Sequence, residues 1–216
     1  MHVRTFYAVG GALVGLALLV PSIASADILP PDVPSVPDPA PVMLEPSTTA
    51  YAVLDINSAI CPPRPACVAS VPIVQRLLTR ARSANVPVVY SLTPGATVLP
   101  EVAPHGDEPV VTGRADKFFN TDLDQILHDR GVQTLVIVGS AANGAVLYTA
   151  FGANLRGYTV VVAVDGISSG PDFDTFLAEY QLLNQPGFAN PTNEQLRPNA
   201  VTLSRSDLIS FGSSAK

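Results

Sequence analysis

The chain has 216 residues and a net charge of −6, from 12 Lys+Arg against 18 Asp+Glu. An acidic chain with no basic stretch is a poor partner for nucleic acid or an anionic membrane surface. Two cysteines exclude a disulfide-framework fold and an all-cysteine zinc site, and a hydrophobic content of 47% excludes a disordered chain.

Residues 1–26 read as a signal peptide. His2 and Arg4 give a weakly positive start, an apolar run follows from Phe6 to Val20, and Ala24-Ser25-Ala26 is an A-x-A cleavage site. The run is shorter than the roughly 20 apolar residues of a transmembrane helix, so no stable membrane span is expected after cleavage. Secretion, or delivery to another compartment outside the cytoplasm, is the expected location. Residues 27–47 are dense in proline and read as an extended, semi-rigid linker. One domain is expected over residues 48–216.

Within it, residues 49–56 (TAYAVLDI) form a buried strand that ends at Asp55. Residues 67–84 carry Val68, Val71, Val74, Leu77, Leu78 and Ala81 at helical spacing. Residues 86–92 (VPVVYSL) are a second strand. Residues 93–113 are a long loop rich in Pro and Gly, a length that often marks function. Residues 120–130 form a helix capped by Asn120 and Thr121 and stopped by Gly131. Strand 134–138 (TLVIV), helix 143–156, strand 159–164 (TVVVAV), helix 172–183 and a short strand 200–203 complete the chain. Strands alternating with helices of this length imply βαβ units and a mostly parallel sheet covered on both faces. In such sheets the ligand lies outside the carboxyl ends of the strands.

Three features fall at those ends: Asp55, Lys117, and the run Gly139-Ser140-Ala141-Ala142-Asn143-Gly144-Ala145. Taken singly, each has an ordinary reading, as a turn residue, a surface charge and a strand-to-helix turn. Lys117 is nevertheless conspicuous, because the body otherwise uses Arg and the only other lysine is the terminal Lys216. A lysine is a compact charge whose pKa shifts readily on burial. The Gly-containing run matches neither G-x-G-x-x-G nor the phosphate-loop pattern, so no nucleotide site is indicated.

Together, VLDIN (53–57), ADKFFNTDLDQIL (115–127) and VIVGSAANGAVLYTAFGANLRGYTVVVAVDGIS (136–168) resemble the isochorismatase-like hydrolase family. That family, the cysteine hydrolase superfamily, also includes nicotinamidases and N-carbamoylsarcosine amidases. The resemblance implies a Rossmann-like, three-layer αβα sandwich with a mostly parallel central sheet. It places Asp55 on the catalytic Asp, Lys117 on the catalytic Lys, and Ala145 on the nucleophilic Cys. Alanine cannot form a thioester, so acyl transfer of the nicotinamidase type is not expected. No metal and no cofactor are expected either: the Asp-x-His…His pattern has no counterpart, and His105 is the only histidine in its loop.

True isochorismatases are similar in carrying a small Gly at this position. Their reaction needs an acid that protonates a vinyl-ether carbon, water that attacks the resulting cation, and a cation that holds the substrate carboxylates. Asp55 would be that acid and Lys117 that cation, with Asn57, Ser140, Ala141, Asn143 and Gly144 shaping the substrate or oxyanion region. The resemblance also implies a cis peptide between Ser140 and Ala141. Asn57 stands where the family commonly has Gln, and Ala59-Ile60 replace its acidic-aromatic pair.

A small-molecule substrate is therefore the expected partner, and the sequence is compatible with a homo-oligomer. A catalytically inactive member that binds a small ligand or a protein is the competing reading. Serine-type hydrolysis through Ser140 or Ser168 is weaker, for want of a nearby His. Cys61 and Cys67, six residues apart, either close a small loop as a disulfide or remain two thiols.

Overall fold

Thr49–Leu54, the strand β2, is buried at every residue, as a strand covered on both faces must be. The computed structural model describes residues 34–212; the expected signal peptide and the start of the linker lie outside them. In chain order the elements are β1 (Val42–Leu44), β2, α1 (Pro65–Ser83), β3 (Val88–Leu92), β4 (Val110–Thr112), α2 (Leu123–His128), β5 (Thr134–Ser140), α3 (Leu147–Leu155), β6 (Thr159–Ser168), α4 (Asp172–Leu183), β7 (Val201–Ser204) and β8 (Ile209–Phe211). Six strands form one sheet in the order β4-β3-β2-β5-β6-β7, with every pairing parallel. This is the doubly wound order, whose direction reverses between β2 and β5 and leaves a crevice at their carboxyl ends.

The period-2 alternation of strands divides the core in two. Ala50, Ala52, Leu54, Leu135, Ile137, Val160 and Val162 face the side covered by α2, α3 and α4. Tyr51, Val53, Val136, Val138, Val161 and Ala163 face α1, which buries Val71, Val74, Leu77, Leu78 and Ala81 against them. Among the described residues no helix is long and apolar enough to cross a membrane.

Three local readings change. The proline-rich segment does not stay clear of the body. Val42 and Leu44 are buried, and β1 pairs in parallel with β8 in a separate two-stranded sheet. The N–H of Ala40 donates to the Leu203 carbonyl at 2.9 Å, and Asn193 Nδ2 donates to the Asp38 carbonyl at 3.0 Å. Proline is tolerated beside a short edge strand, where its missing N–H costs no ladder bond. Within the expected loop 93–113, Val110–Thr112 adds an edge strand beside β3. The loop is tied down where Arg82 pairs with Glu108 at 2.6 Å and donates to the Tyr90 hydroxyl at 2.9 Å. Finally, the helix expected over 143–156 starts with a wide turn, Ala142–Val146, in which the Val146 N–H reaches the Ala141 carbonyl at 3.2 Å. Such i→i+5 turns recur at functional sites.

Gly139 fixes how close β5 comes to β2. Its φ is +144°, and a Cβ there would lie 2.1 Å from the Leu54 carbonyl oxygen, a backbone atom that cannot swing aside. Gly139→Ala is therefore expected to be strongly destabilising, by at least the ~1–3 kcal/mol of overpacking and more because the clash is with backbone. Chemical denaturation of the variant checks this; a midpoint unchanged from the parent would contradict the close approach.

Candidate functional site

Asp55 follows the last residue of β2 and adopts a left-handed φ of 53°. Its N–H still donates to the Ser91 carbonyl at 3.1 Å, so the chain leaves the sheet with the carboxylate turned at the crevice mouth. A non-glycine residue in this conformation costs energy, and such residues gather at functional sites. Lys117 arrives from the other direction, in the turn before α2. Its N–H donates to Thr149 Oγ1 on α3 at 3.1 Å, and Phe118 beside it stacks on Tyr158 with ring centroids 6.0 Å apart. Gly152 of α3 admits this turn: a Cβ there would lie 2.9 Å from Asp116 Oδ1.

Lys117 Nζ lies 2.7 Å from Asp55 Oδ2. It also donates to the Gly113 carbonyl at 3.2 Å. An ammonium has three N–H donors, so one remains for a ligand. Ser91 Oγ donates to Asp55 Oδ1 at 3.2 Å. Lys117 is fully buried and Asp55 is 4% exposed. Burial pushes the Asp55 carboxyl above its ordinary pKa of 3.8, and outweighs the Lys117 ammonium and the Ser91 hydroxyl, which pull the other way. The opposition between a buried acid and a neighbouring lysine is thus resolved in favour of burial.

Ser140 ends β5, one register step beyond the Leu54–Gly139 pair, and its peptide bond to Ala141 is cis. Ala145 lies in the following wide turn and is buried. The other expected residues are committed internally. Asn57 Oδ1 accepts from the N–H groups of Ala59 and Ile60, both at 3.0 Å, and its Nδ2 donates to Thr93 Oγ1 at 3.3 Å. It is fully buried and shapes the loop after β2, with Oδ1 and one of the two Nδ2 N–H groups committed there. Ser140 Oγ donates to the Ser168 carbonyl at 3.1 Å, joining β5 to β6. The Asn143 N–H donates to Ser169 Oγ at 3.2 Å and the Gly144 N–H to the Ala141 carbonyl at 3.1 Å. Neither N–H is free to hold an anion, in contrast to the expectation for a helix start, because the wide turn closes on itself. Ser91 was not anticipated; its signal was a polar residue at the end of the strand beside β2.

Cys61 and Cys67 are joined as a disulfide, with Cα atoms 5.0 Å apart. They span the loop that leads from Asn57 into α1. Alkylation of the denatured protein should label neither thiol before reduction and both after it. Equal labelling with and without reductant would exclude the bridge. Among the described residues no group of three or more His, Cys, Asp or Glu side chains is gathered so as to hold a metal ion.

Comparison with known proteins adds a family. Residues 49–193 match the model of the isochorismatase domain. The chain is 34% identical over 113 residues to the secreted isochorismatase effector Isc1 of Verticillium dahliae, a match covering 46% of this chain and 60% of that protein. It spans little more than half the length of the curated relatives it matches. Among solved structures, a cysteine hydrolase from Pseudomonas syringae pv. phaseolicola superposes with a TM-score of 0.65 at 20% identity, covering 82% of this chain and 95% of that one. N-carbamoylsarcosine amidase from Thermoplasma acidophilum gives 0.63 at 23% identity, covering 74% and 97%. These likenesses establish the α/β fold.

Proposed function

Because the chain belongs to the isochorismatase family, we propose that it is an exported hydrolase acting on a small carboxylated or amide-like substrate through Asp55, without a cysteine nucleophile. The observation that carries this reading is the buried Asp55–Lys117 pair, in which the carboxyl has a raised pKa and the ammonium keeps one N–H. Burial shifts the Asp55 carboxyl in the direction that general-acid chemistry requires. Asp55 would deliver its proton to the vinyl-ether carbon, water would add to the cation, and the adduct would separate into pyruvate and an alcohol. Lys117 would hold a substrate carboxylate, and Ser91 would orient the acid. Ala145, where the resemblance places the nucleophilic Cys, has only a methyl group and supplies no nucleophile. Export is supported by the signal-like residues 1–26 and by the secreted relative.

The test is a panel of carboxylated vinyl ethers, amides and ureas, with product release and intact-protein mass followed together. Turnover without a covalent adduct is expected; an acyl-enzyme mass would refute the mechanism. The second reading, an inactive member that binds a ligand or protein, draws on Ala145 and on the near-complete burial of Asp55 and Lys117. Ligand binding without turnover of any panel member would favour it.

A further inference from the structure

Lys117 belongs to no helix or strand that could hold it. It stands in the turn before α2, and its ammonium sits on a flexible four-carbon stem. Yet it is fully buried, and its Nζ meets Asp55 Oδ2 at 2.7 Å and the Gly113 carbonyl at 3.2 Å. The backbone from which that stem starts must therefore be fixed from elsewhere.

Two threonine hydroxyls fix it. Thr121 Oγ1, four residues on, donates to the Lys117 carbonyl at 2.5 Å and accepts from the Leu123 N–H at 3.2 Å. Thr149 comes from α3. Its Oγ1 accepts from the Lys117 N–H at 3.1 Å and donates to the Ala115 carbonyl over a long 3.4 Å. Thr149 is fully buried and carries the one buried hydroxyl of α3, beside Ala150, Gly152 and Ala153. A threonine inside a helix commonly returns its hydroxyl to the carbonyl four residues back, here that of Ala145. Thr149 directs both of its bonds to the turn instead. A valine of the same shape would pack on this face without the cost of burying a hydroxyl. Gly152, three residues on and on the same face, admits the turn, since a Cβ there would lie 2.9 Å from Asp116 Oδ1. This face of α3 is thus shaped to receive residues 115–118, and α3 begins directly after the wide turn that carries Ala145.

We infer that Thr149 is a positioning residue for Lys117: its hydroxyl pins the Lys117 backbone to α3, so that the ammonium meets Asp55 and a substrate carboxylate together. The inference rests on the reading of Asp55 and Lys117 as the working pair, and Thr149 acts through Lys117 rather than on the substrate. Without the hydroxyl, the Lys117 N–H and the Ala115 carbonyl lose a buried partner, and the turn must shift to recover one. The ammonium moves with the turn. A misplacement of about 1 Å in such a group can cost about a hundredfold in rate.

The test compares Thr149→Val, Thr149→Ser and Ala153→Gly in the full chain, with two readouts. The first is the titration of the Asp55 carboxyl, followed by carbon-13 NMR of aspartate-labelled protein, with Asp55→Asn identifying the signal. Lys117 lowers the Asp55 pKa through its hydrogen bond and its charge, so in Thr149→Val the carboxyl should titrate at higher pH than in the parent. The second is kinetics on an accepted carboxylated substrate. Thr149→Val should raise KM by roughly tenfold or more, with a smaller change in kcat, because Lys117 holds the substrate. Thr149→Ser should restore both readouts. Ala153→Gly weakens α3 without removing a hydrogen bond to the turn, and should lower the unfolding midpoint while leaving both readouts at the parent values. If Thr149→Val does not fold, Thr149→Ala, which leaves room for a bridging water, carries the same two expectations. The inference is overturned if the folded variant without the hydroxyl keeps the parent's Asp55 titration and KM, or if Ala153→Gly alters them equally. A parent that turns over no substrate would count against the proposed hydrolase instead, and the Asp55 titration would then decide the role of Thr149 alone.

Discussion

Asp55→Asn should lower turnover of an accepted substrate by roughly 10²–10⁴-fold, the usual worth of a positioned general acid. The substitution keeps the shape of the side chain and removes the proton donor. It also leaves the Lys117 ammonium buried opposite a neutral amide, so some stability is lost as well, and the folded fraction must be measured beside the rate. Pairing the change with Lys117→Met removes both charges. A buried ion pair replaced by groups of similar volume is often neutral or stabilising, so the double variant should unfold close to the parent yet remain inactive. Full activity in Asp55→Asn would refute the acid role.

The pH dependence follows from the same residue. Burial makes the folded state hold the Asp55 proton more tightly than the unfolded chain does. A group with a raised folded pKa contributes stability that is complete below its unfolded value, near 3.8, and is lost as pH rises through the folded value. Turnover that needs the protonated acid should fall over that same rise. A rate that climbs with pH across this window would instead mark Asp55 as a base.

The sheet was legible in the sequence because its strands are buried on both faces and read as unbroken apolar runs: TLVIV and TVVVAV need no alternation to be recognised. Asp55 and Lys117 were legible for other reasons, one by its place at a strand end, the other by its rarity and the family resemblance. The missed pieces are those in which tertiary contact overrides local pattern. Val110–Thr112 is three residues long and follows Pro109, too short for a period. Val42–Leu44 lies among prolines, and its partner strand β8 is more than 150 residues away in the chain. The wide turn at Ala142–Val146 differs from an α-helix by one hydrogen-bond step, which no side-chain pattern records. Asn57 shows the limit for site residues. Its type fitted a substrate contact, but whether an amide faces a ligand or its own loop depends on the turn that follows.

Lys117→Ala should be the most destabilising single change at the site at neutral pH, by about 3–5 kcal/mol. The Asp55 carboxylate would then be buried with only Ser91 Oγ as a partner, and an unpaired buried charge costs far more than a surface pair gains. The size of the loss should depend on pH in a stated direction. Lys117 lowers the Asp55 pKa through both its hydrogen bond and its charge. Without it the carboxyl rises further and is protonated over a wider range. A protonated Asp55 needs no cation, so the variant should differ little from the parent in acid and fall progressively below it as pH rises and the unpaired anion must form. Denaturant unfolding at several pH values measures the difference directly. A loss of the same size in acid and at neutrality would mean that Lys117 contributes only its packed methylene chain, and the electrostatic coupling on which the proposed chemistry rests would be absent.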